Sequence, residues 1–243
     1  MSDFVLVHGG LHGAWCWRFL REELEGRGHR VAAPEVPLDD PGAAMRDFVE
    51  AVTASASELD HPIVVGHSLA GLIVPHVAER IEVGGLSYLC SMVAPTTQAE
   101  ADTNAVLVNP DFWAGVSFDE SGIATCPPEM AIAAFYHDVD PERQRWATEQ
   151  LTVLAPVVYT DVEFLPALPD VPVAAILTDE DYMAADAEAH KTYIRSRLRV
   201  EPTVLPGGHS PFLSHPAELA SVLIEFAAGV GSATRRRAWT RRR

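Results

Sequence analysis

Cysteine is scarce in this chain: Cys16, Cys90 and Cys126 are the whole complement. Three scattered residues make neither a disulfide framework nor a metal-ligand spacing, so buried, reduced thiols are expected. No apolar stretch approaches the roughly twenty residues that cross a bilayer. An apolar run already begins at Phe4, which leaves no room for a charged leader and the apolar core of a secretory signal. The expectation is a soluble, cytoplasmic protein with no membrane partner. Positive charge is nearly confined to one end. Formal net charge is −16 although the stretch Arg235 to Arg243 holds six arginines, so the body before it is more acidic still. Such a body repels nucleic acid and anionic lipid and favours neutral or cationic small molecules. The basic end, 231–243, reads as a disordered tail. No G-x-G-x-x-G follows the first strand, so no dinucleotide site is expected. His8, His12, His67 and His76 have no carboxylate or cysteine at ligand spacing, so no metal is expected either.

What is present is a chain of 243 residues, 48% hydrophobic and 21% charged, which fits one globular domain with a sizeable core. Its first ninety residues alternate. Phe4 to His8, Val31 to Ala33, Ile63 to Val65 and Leu86 to Cys90 are short continuous apolar runs. Between them Trp15, Phe19, Leu20 and Leu24, then Phe48, Val49 and Val52, recur at helical spacing, and Leu72 to Arg80 reads as a further helix. Continuous apolar strands separated by helices indicate a mostly parallel sheet covered on both faces, a doubly wound α/β class. From 95 to 169 the rhythm breaks into a proline-rich stretch without clear strands. Two helix starts are legible there, at Pro127-Pro128-Glu129 and at Asp140-Pro141-Glu142, where Asp140 suits an N-cap and Pro141 the first helical position. This segment is expected to be an inserted helical cap, with 1–94 and 170–230 forming the core. Alternation resumes with Val173 to Leu177, a helix around Ala185 to Ile194, Val200 to Leu205 and a helix from Pro216 to Ala228.

Open parallel sheets bind ligands beyond the carboxyl ends of their strands. Four such ends carry chemistry-bearing residues: His8-Gly9-Gly10-Leu11-His12-Gly13, the hexapeptide Gly66-His67-Ser68-Leu69-Ala70-Gly71, Thr178-Asp179-Glu180-Asp181, and Pro206-Gly207-Gly208-His209. The hexapeptide reads as a nucleophile elbow, a strained strand-to-helix turn that projects Ser68. Its pattern departs from G-x-S-x-G, because Ala70 stands in the last glycine position and Gly71 follows. A serine hydroxyl needs a base, and the imidazole of His209 is suited to take its proton. A buried carboxylate should hold that imidazole in the correct tautomer. Asp179 and Asp181 both qualify by spacing. Backbone N–H groups of Gly10 and Leu69 are the candidates to stabilise a developing oxyanion.

The stretch FVLVHGGLHGAWCW from Phe4 to Trp17, with GHSLAGL, LTDEDY and GGHSPF, resembles the α/β-hydrolase branch that contains plant methylesterases, hydroxynitrile lyases and related bacterial esterases. The resemblance covers nearly all of the chain except the arginine tail. It implies the α/β-hydrolase fold, an eight-stranded sheet core lacking early strands, a helical cap over the site and no cofactor. It assigns Ser68, Asp181 and His209 to a catalytic triad and the Gly10 and Leu69 amides to the oxyanion hole. The lyases of this branch carry a lysine directly after the catalytic histidine and a hydroxyl-bearing residue where this chain has Gly9. Here the first of these positions is Ser210, which favours hydrolysis. The expected function is therefore a serine hydrolase that cleaves a carboxylic ester of a small, largely apolar molecule through an acyl-enzyme. A lyase or tailoring enzyme acting on a carbonyl compound, and a non-catalytic small-ligand receptor, are the alternatives. His12, Trp113, Phe135, Tyr136 and Trp146 are the candidate pocket residues. The expected partner is the small-molecule substrate, with a homodimer allowed.

Overall fold

The computed structural model describes residues 1–160 and 163–240, with side chains described up to Gly231. Strand β1 (Asp3–Val7) is buried along its whole length. Through a short 3-10 turn (Ala14–Trp17) the chain enters α1 (Arg18–Gly26), which buries Leu20 and Leu24 at i, i+4 spacing and solvates its other face with the i, i+4 pairs Arg18–Glu22 and Arg21–Glu25. Then follow β2 (Arg30–Ala32), α2 (Met45–Ser55) and β3 (Ile63–His67). A second 3-10 turn (Ser68–Leu72) separates β3 from α3 (Val74–Ala78). The sequence predicts one helix from Leu72 to Arg80, but Pro75 has no N–H to continue a helix from the preceding turn and instead sits in the first turn of a new one.

After β4 (Gly85–Leu89) the chain leaves the core. It builds α4 (Gln98–Leu107), α5 (Pro110–Gly115), the strands β5 (Ser117–Phe118) and β6 (Ala124–Thr125) of a small antiparallel hairpin, α6 (Pro128–Phe135), α7 (Pro141–Gln150) and α8 (Val157–Thr160). Among its described residues, the segment between β4 and β7 thus holds five helices and a hairpin where the sequence shows two helix starts and no clear strand. As predicted for α7, Asp140 accepts hydrogen bonds from the Glu142 and Arg143 amides, with Pro141 in the first turn. The core resumes with β7 (Val173–Thr178), α9 (Ala187–Leu198), β8 (Thr203–Leu205), α10 (Pro211–Ser214) and α11 (Pro216–Thr240). Composition predicts a disordered tail from 231, but the backbone to Thr240 continues α11, and 241–243 lie outside the described residues.

The six core strands form one all-parallel sheet in the order β2-β1-β3-β4-β7-β8. Every residue of β1, β3 and β4 is buried, so both faces of the sheet centre are covered, whereas the edge strands β2 and β8 are partly exposed. Helix α1 packs on α11, and α2 packs on α3. The order reverses between β1 and β3, and this switch point opens a crevice at the strands' carboxyl ends. The register pairs Val7 with Gly66, so the loop after β1 starts beside Ser68. The cap closes over that crevice through two sets of backbone bonds. Thr152 N–H reaches Leu11 and Ala155 N–H reaches Leu38, while Asn109 N–H reaches Met183 and Ala185 N–H reaches Leu107.

Candidate active site

Ser68 follows β3 directly, with φ at +55°, a left-handed conformation that is costly for a residue with a side chain. Surrounding structure holds it there: its carbonyl accepts the Met92 N–H at 3.1 Å, and Ile73 N–H closes the turn onto the Ala70 carbonyl at 2.9 Å. The departure from G-x-S-x-G has a steric explanation. Ala70 is fully buried and its methyl fits. A Cβ on Gly71 would run into the Met92 carbonyl oxygen and lie 2.8 Å from Ser91 Oγ, so the obligatory glycine of this turn stands one residue later.

At the carboxyl end of β8, His209 is 2% exposed. Its Nδ1 lies 2.8 Å from Asp181 Oδ1, and its main-chain carbonyl accepts a hydrogen bond from His67 Nε2–H at 2.9 Å. With Nδ1–H given to the carboxylate, Nε2 is left as an acceptor. Burial alone would raise the Asp181 carboxyl, but the His209 imidazole and the Met183 N–H, at 2.9 Å, outweigh it and hold that group below the usual range. Asp179, which spacing alone allowed, is engaged elsewhere: its Oδ1 accepts the Gly207 N–H at 2.9 Å and braces the loop that carries His209. Glu180 faces His137 at 3.7 Å. Ser68 and His209 share one cavity wall, and among the described residues no hydrogen bond joins them.

The loop after β1 is fixed by two neutral histidines. His8 Nε2 accepts the Val36 N–H at 3.0 Å, which requires the proton on Nδ1, where it is donated to the Gly9 carbonyl at 3.0 Å. His12 bonds the Gly10 carbonyl through Nδ1 at 3.0 Å and takes the Tyr136 hydroxyl on Nε2 at 2.8 Å. Burial lowers the His12 pKa to about 3, so the ring is uncharged at neutral pH. The Gly10 N–H makes none of the loop's backbone hydrogen bonds, and Leu69 lies in the first turn of a helical segment, where N–H groups lack an internal acceptor. Both residues border the cavity.

That cavity, about 80 Å³, is bounded by Ser68, Asp181 and His209 together with residues of both core and cap. Among the proposed pocket residues, His12, Trp113 and Phe135 line it. Tyr136 and Trp146 do not. Tyr136 is buried behind His12, and Trp146 packs at 5.3 Å on Trp15 and 5.7 Å on Phe19. Phe135 and Tyr136 show why sequence misleads here, because neighbours at a helix end point in different directions. Met92, Asn104, Met183 and His190 line the cavity without any sequence pattern to announce them. His190 is half-buried behind Asp181, and burial lowers its pKa. Among the described residues, no lysine or arginine borders the cavity, and no group of three or more His, Cys, Asp or Glu could hold a metal ion. The three cysteines are free and buried. Among the described residues, no helix is long and apolar enough to cross a membrane.

Comparison with known proteins gives matches of three kinds, to a family, to individual relatives and to solved structures. The alpha/beta hydrolase family matches residues 4–222. Esterase PIR7B of Oryza sativa subsp. japonica is 26% identical over 265 residues, covering 93% of this chain and 96% of that protein. Carbendazim hydrolyzing esterase of Nocardioides sp. (strain SG-4G) is 36% identical over 104 residues, which span 38% of this chain and 43% of that protein. Among solved structures, polyneuridine aldehyde esterase superposes with a TM-score of 0.81 at 18% identity, covering 93% of this chain and 99% of that one, a likeness of fold.

Proposed function

The chain belongs to the alpha/beta hydrolase family, and from that premise we propose that it is a carboxylic ester hydrolase working through an acyl-enzyme on Ser68. The observation that carries this reading is the His209–Asp181 hydrogen bond of 2.8 Å at the cavity into which the strained Ser68 turn opens. In the proposed reaction Ser68 Oγ attacks the ester carbonyl while His209 Nε2 takes its proton. Asp181 keeps the imidazole in the Nδ1–H tautomer and stabilises the imidazolium. The carbonyl oxygen, now negative, is met by the Gly10 and Leu69 N–H groups. His209 then returns the proton to the departing alcohol, and a water activated by the same imidazole releases the acid.

Two features support hydrolysis over cyanohydrin cleavage. The residue after His209 is Ser210, fully buried, and no cation borders the cavity to receive a cyanide leaving group. The other is at Gly9. A Cβ there would sit 2.9 Å from Ser68 Cβ and 3.0 Å from His67 Nδ1, so a hydroxyl-bearing side chain in this position would displace the nucleophile. The relatives named as esterases favour the same chemistry.

The test is Ser68→Ala assayed on short p-nitrophenyl esters. Turnover is expected to fall by roughly 10³-fold or more, and a fluorophosphonate probe should label the unaltered protein but not the variant. Ester turnover at the unaltered rate in Ser68→Ala would reject the nucleophile. Saturable ligand binding without turnover or labelling would point to a receptor instead.

A further inference from the structure

The cavity at Ser68 is too small to hold a substrate by itself. At about 80 Å³ it falls below the roughly 150 Å³ that accommodates a single benzene ring, so the carbonyl and one short substituent fill it. Beside it lies a second chamber of about 400 Å³, within the range of small-molecule sites. The two share Leu69, Met92, Asn104, Val108 and Trp113 as walls. Leu69 supplies one of the amides assigned to the oxyanion, so the chambers adjoin at the reacting carbonyl.

The second chamber offers a ligand almost nothing polar. Besides the Trp113 indole, two of its lining residues carry an amide or hydroxyl, and both are occupied. Asn104 is bound to the main chain of Val93 through Nδ2 at 2.7 Å and Oδ1 at 3.4 Å, and Tyr159 donates its hydroxyl to the Gly122 carbonyl. Among the described residues, no charged side chain lines it. Trp113 stands between the chambers and packs on Phe118 and Tyr159, and Phe118, 49% exposed, carries the wall to the surface.

We infer that this chamber binds the larger group of the ester, so that the enzyme selects substrates with one short substituent at the carbonyl and an extended, uncharged apolar group on the other side. This rests on the ester hydrolase reading. Hydrophobic burial is worth about fourfold per methylene, and this gain is realised in kcat/KM only if the chamber is used. Methyl acetate, methyl octanoate and octyl acetate, followed by acid release, separate the acyl from the alcohol side. At least one octyl-length ester should exceed methyl acetate in kcat/KM by tenfold or more. Ala101→Phe, which fills the chamber from α4, should cut that ratio about tenfold. Ala105→Trp, one turn along the same helix and exposed at the rim, should do likewise and serves if the first variant does not fold. Ratios near one for both octyl-length esters, or ratios untouched by both variants, overturn the inference. A second readout is independent of catalysis: octanol binding to Ser68→Ala protein by calorimetry, weakened about tenfold when Ala101→Phe is added. Octanol binding lost on filling, with no ester hydrolysed, would sink the hydrolase reading and spare the chamber. Ser68-dependent hydrolysis of methyl acetate without an octyl preference would do the reverse.

Discussion

The Tyr136 hydroxyl, the His12 ring and the Gly10 carbonyl form a buried relay from the cap to the peptide group next to Ser68. Each member is satisfied by the next, and the order fixes one tautomer of His12 and one orientation of the loop. Tyr136→Phe removes the donor to His12 Nε2 and leaves that nitrogen buried without a partner, which costs about 1–3 kcal/mol of stability. If the relay also aims the Gly10 N–H, kcat on short esters should drop about tenfold with KM little changed, because the loss falls on the developing oxyanion. A stability loss measured in urea, with kcat intact, would reduce Tyr136 to a packing role. Residue-level reading of the sequence finds His12 and Tyr136 but places both at the pocket. The hydrogen bond that joins them spans 124 residues and has no signature along the chain.

At the level of elements, the turn after β3 is as demanding as the side chain it presents. Gly71→Ala would drive a methyl group into the Met92 carbonyl, and the strand-to-turn contact would have to part. The cost expected from overpacking is about 1–3 kcal/mol, with loss of turnover because Ser68 hangs on the Met92 N–H. Ala70→Gly, which restores the usual G-x-S-x-G, should cost at most about 1 kcal/mol, from backbone entropy. Equal stabilities of the two variants by chemical denaturation would contradict this account. The strands themselves are legible in the sequence, since Phe4 to Val7 and Ile63 to Val65 are continuous apolar runs that only a doubly covered sheet buries. Much of the cap is not. Its hairpin strands are two residues each, too short for any period to register, and Trp146 packs on Trp15 from an element far away in the sequence.

Across the whole molecule, burial of histidines couples stability to acid. His8, His12, His67 and His190 all have pKa values lowered by burial, His12 to about 3. An unfolded histidine binds a proton near pH 6.5, so below that pH the unfolded chain takes up protons that the folded protein refuses. Stability therefore falls as pH drops from about 6.5. For His12 alone the loss by pH 5 is on the order of 2 kcal/mol. The lowered Asp181 carboxyl acts in the same direction at lower pH, its contribution fading only as pH passes down through its unfolded value and below. Urea denaturation at pH 7.5, 6.5 and 5.5 should show the decline, and His12→Gln should make it shallower by about one proton. Constant stability across that range would mean these rings are not held neutral.

Hydrophobic period and strand-end residues, by themselves, determined the α/β class and put a serine and a histidine just beyond the carboxyl ends of β3 and β8. These are local properties: burial on both faces writes continuous apolar runs, and a sharp strand-to-helix turn requires small residues beside it. Spacing left Asp179 and Asp181 both open and only resemblance favoured Asp181; the tertiary structure shows Asp181 meeting His209 while Asp179 braces Gly207. Tertiary structure also decided that Trp113 and Phe135 face the cavity while Tyr136 and Trp146 do not, and that a second chamber adjoins the first. Each of these depends on distances between segments far apart in the chain, and such distances are set by how the layers pack.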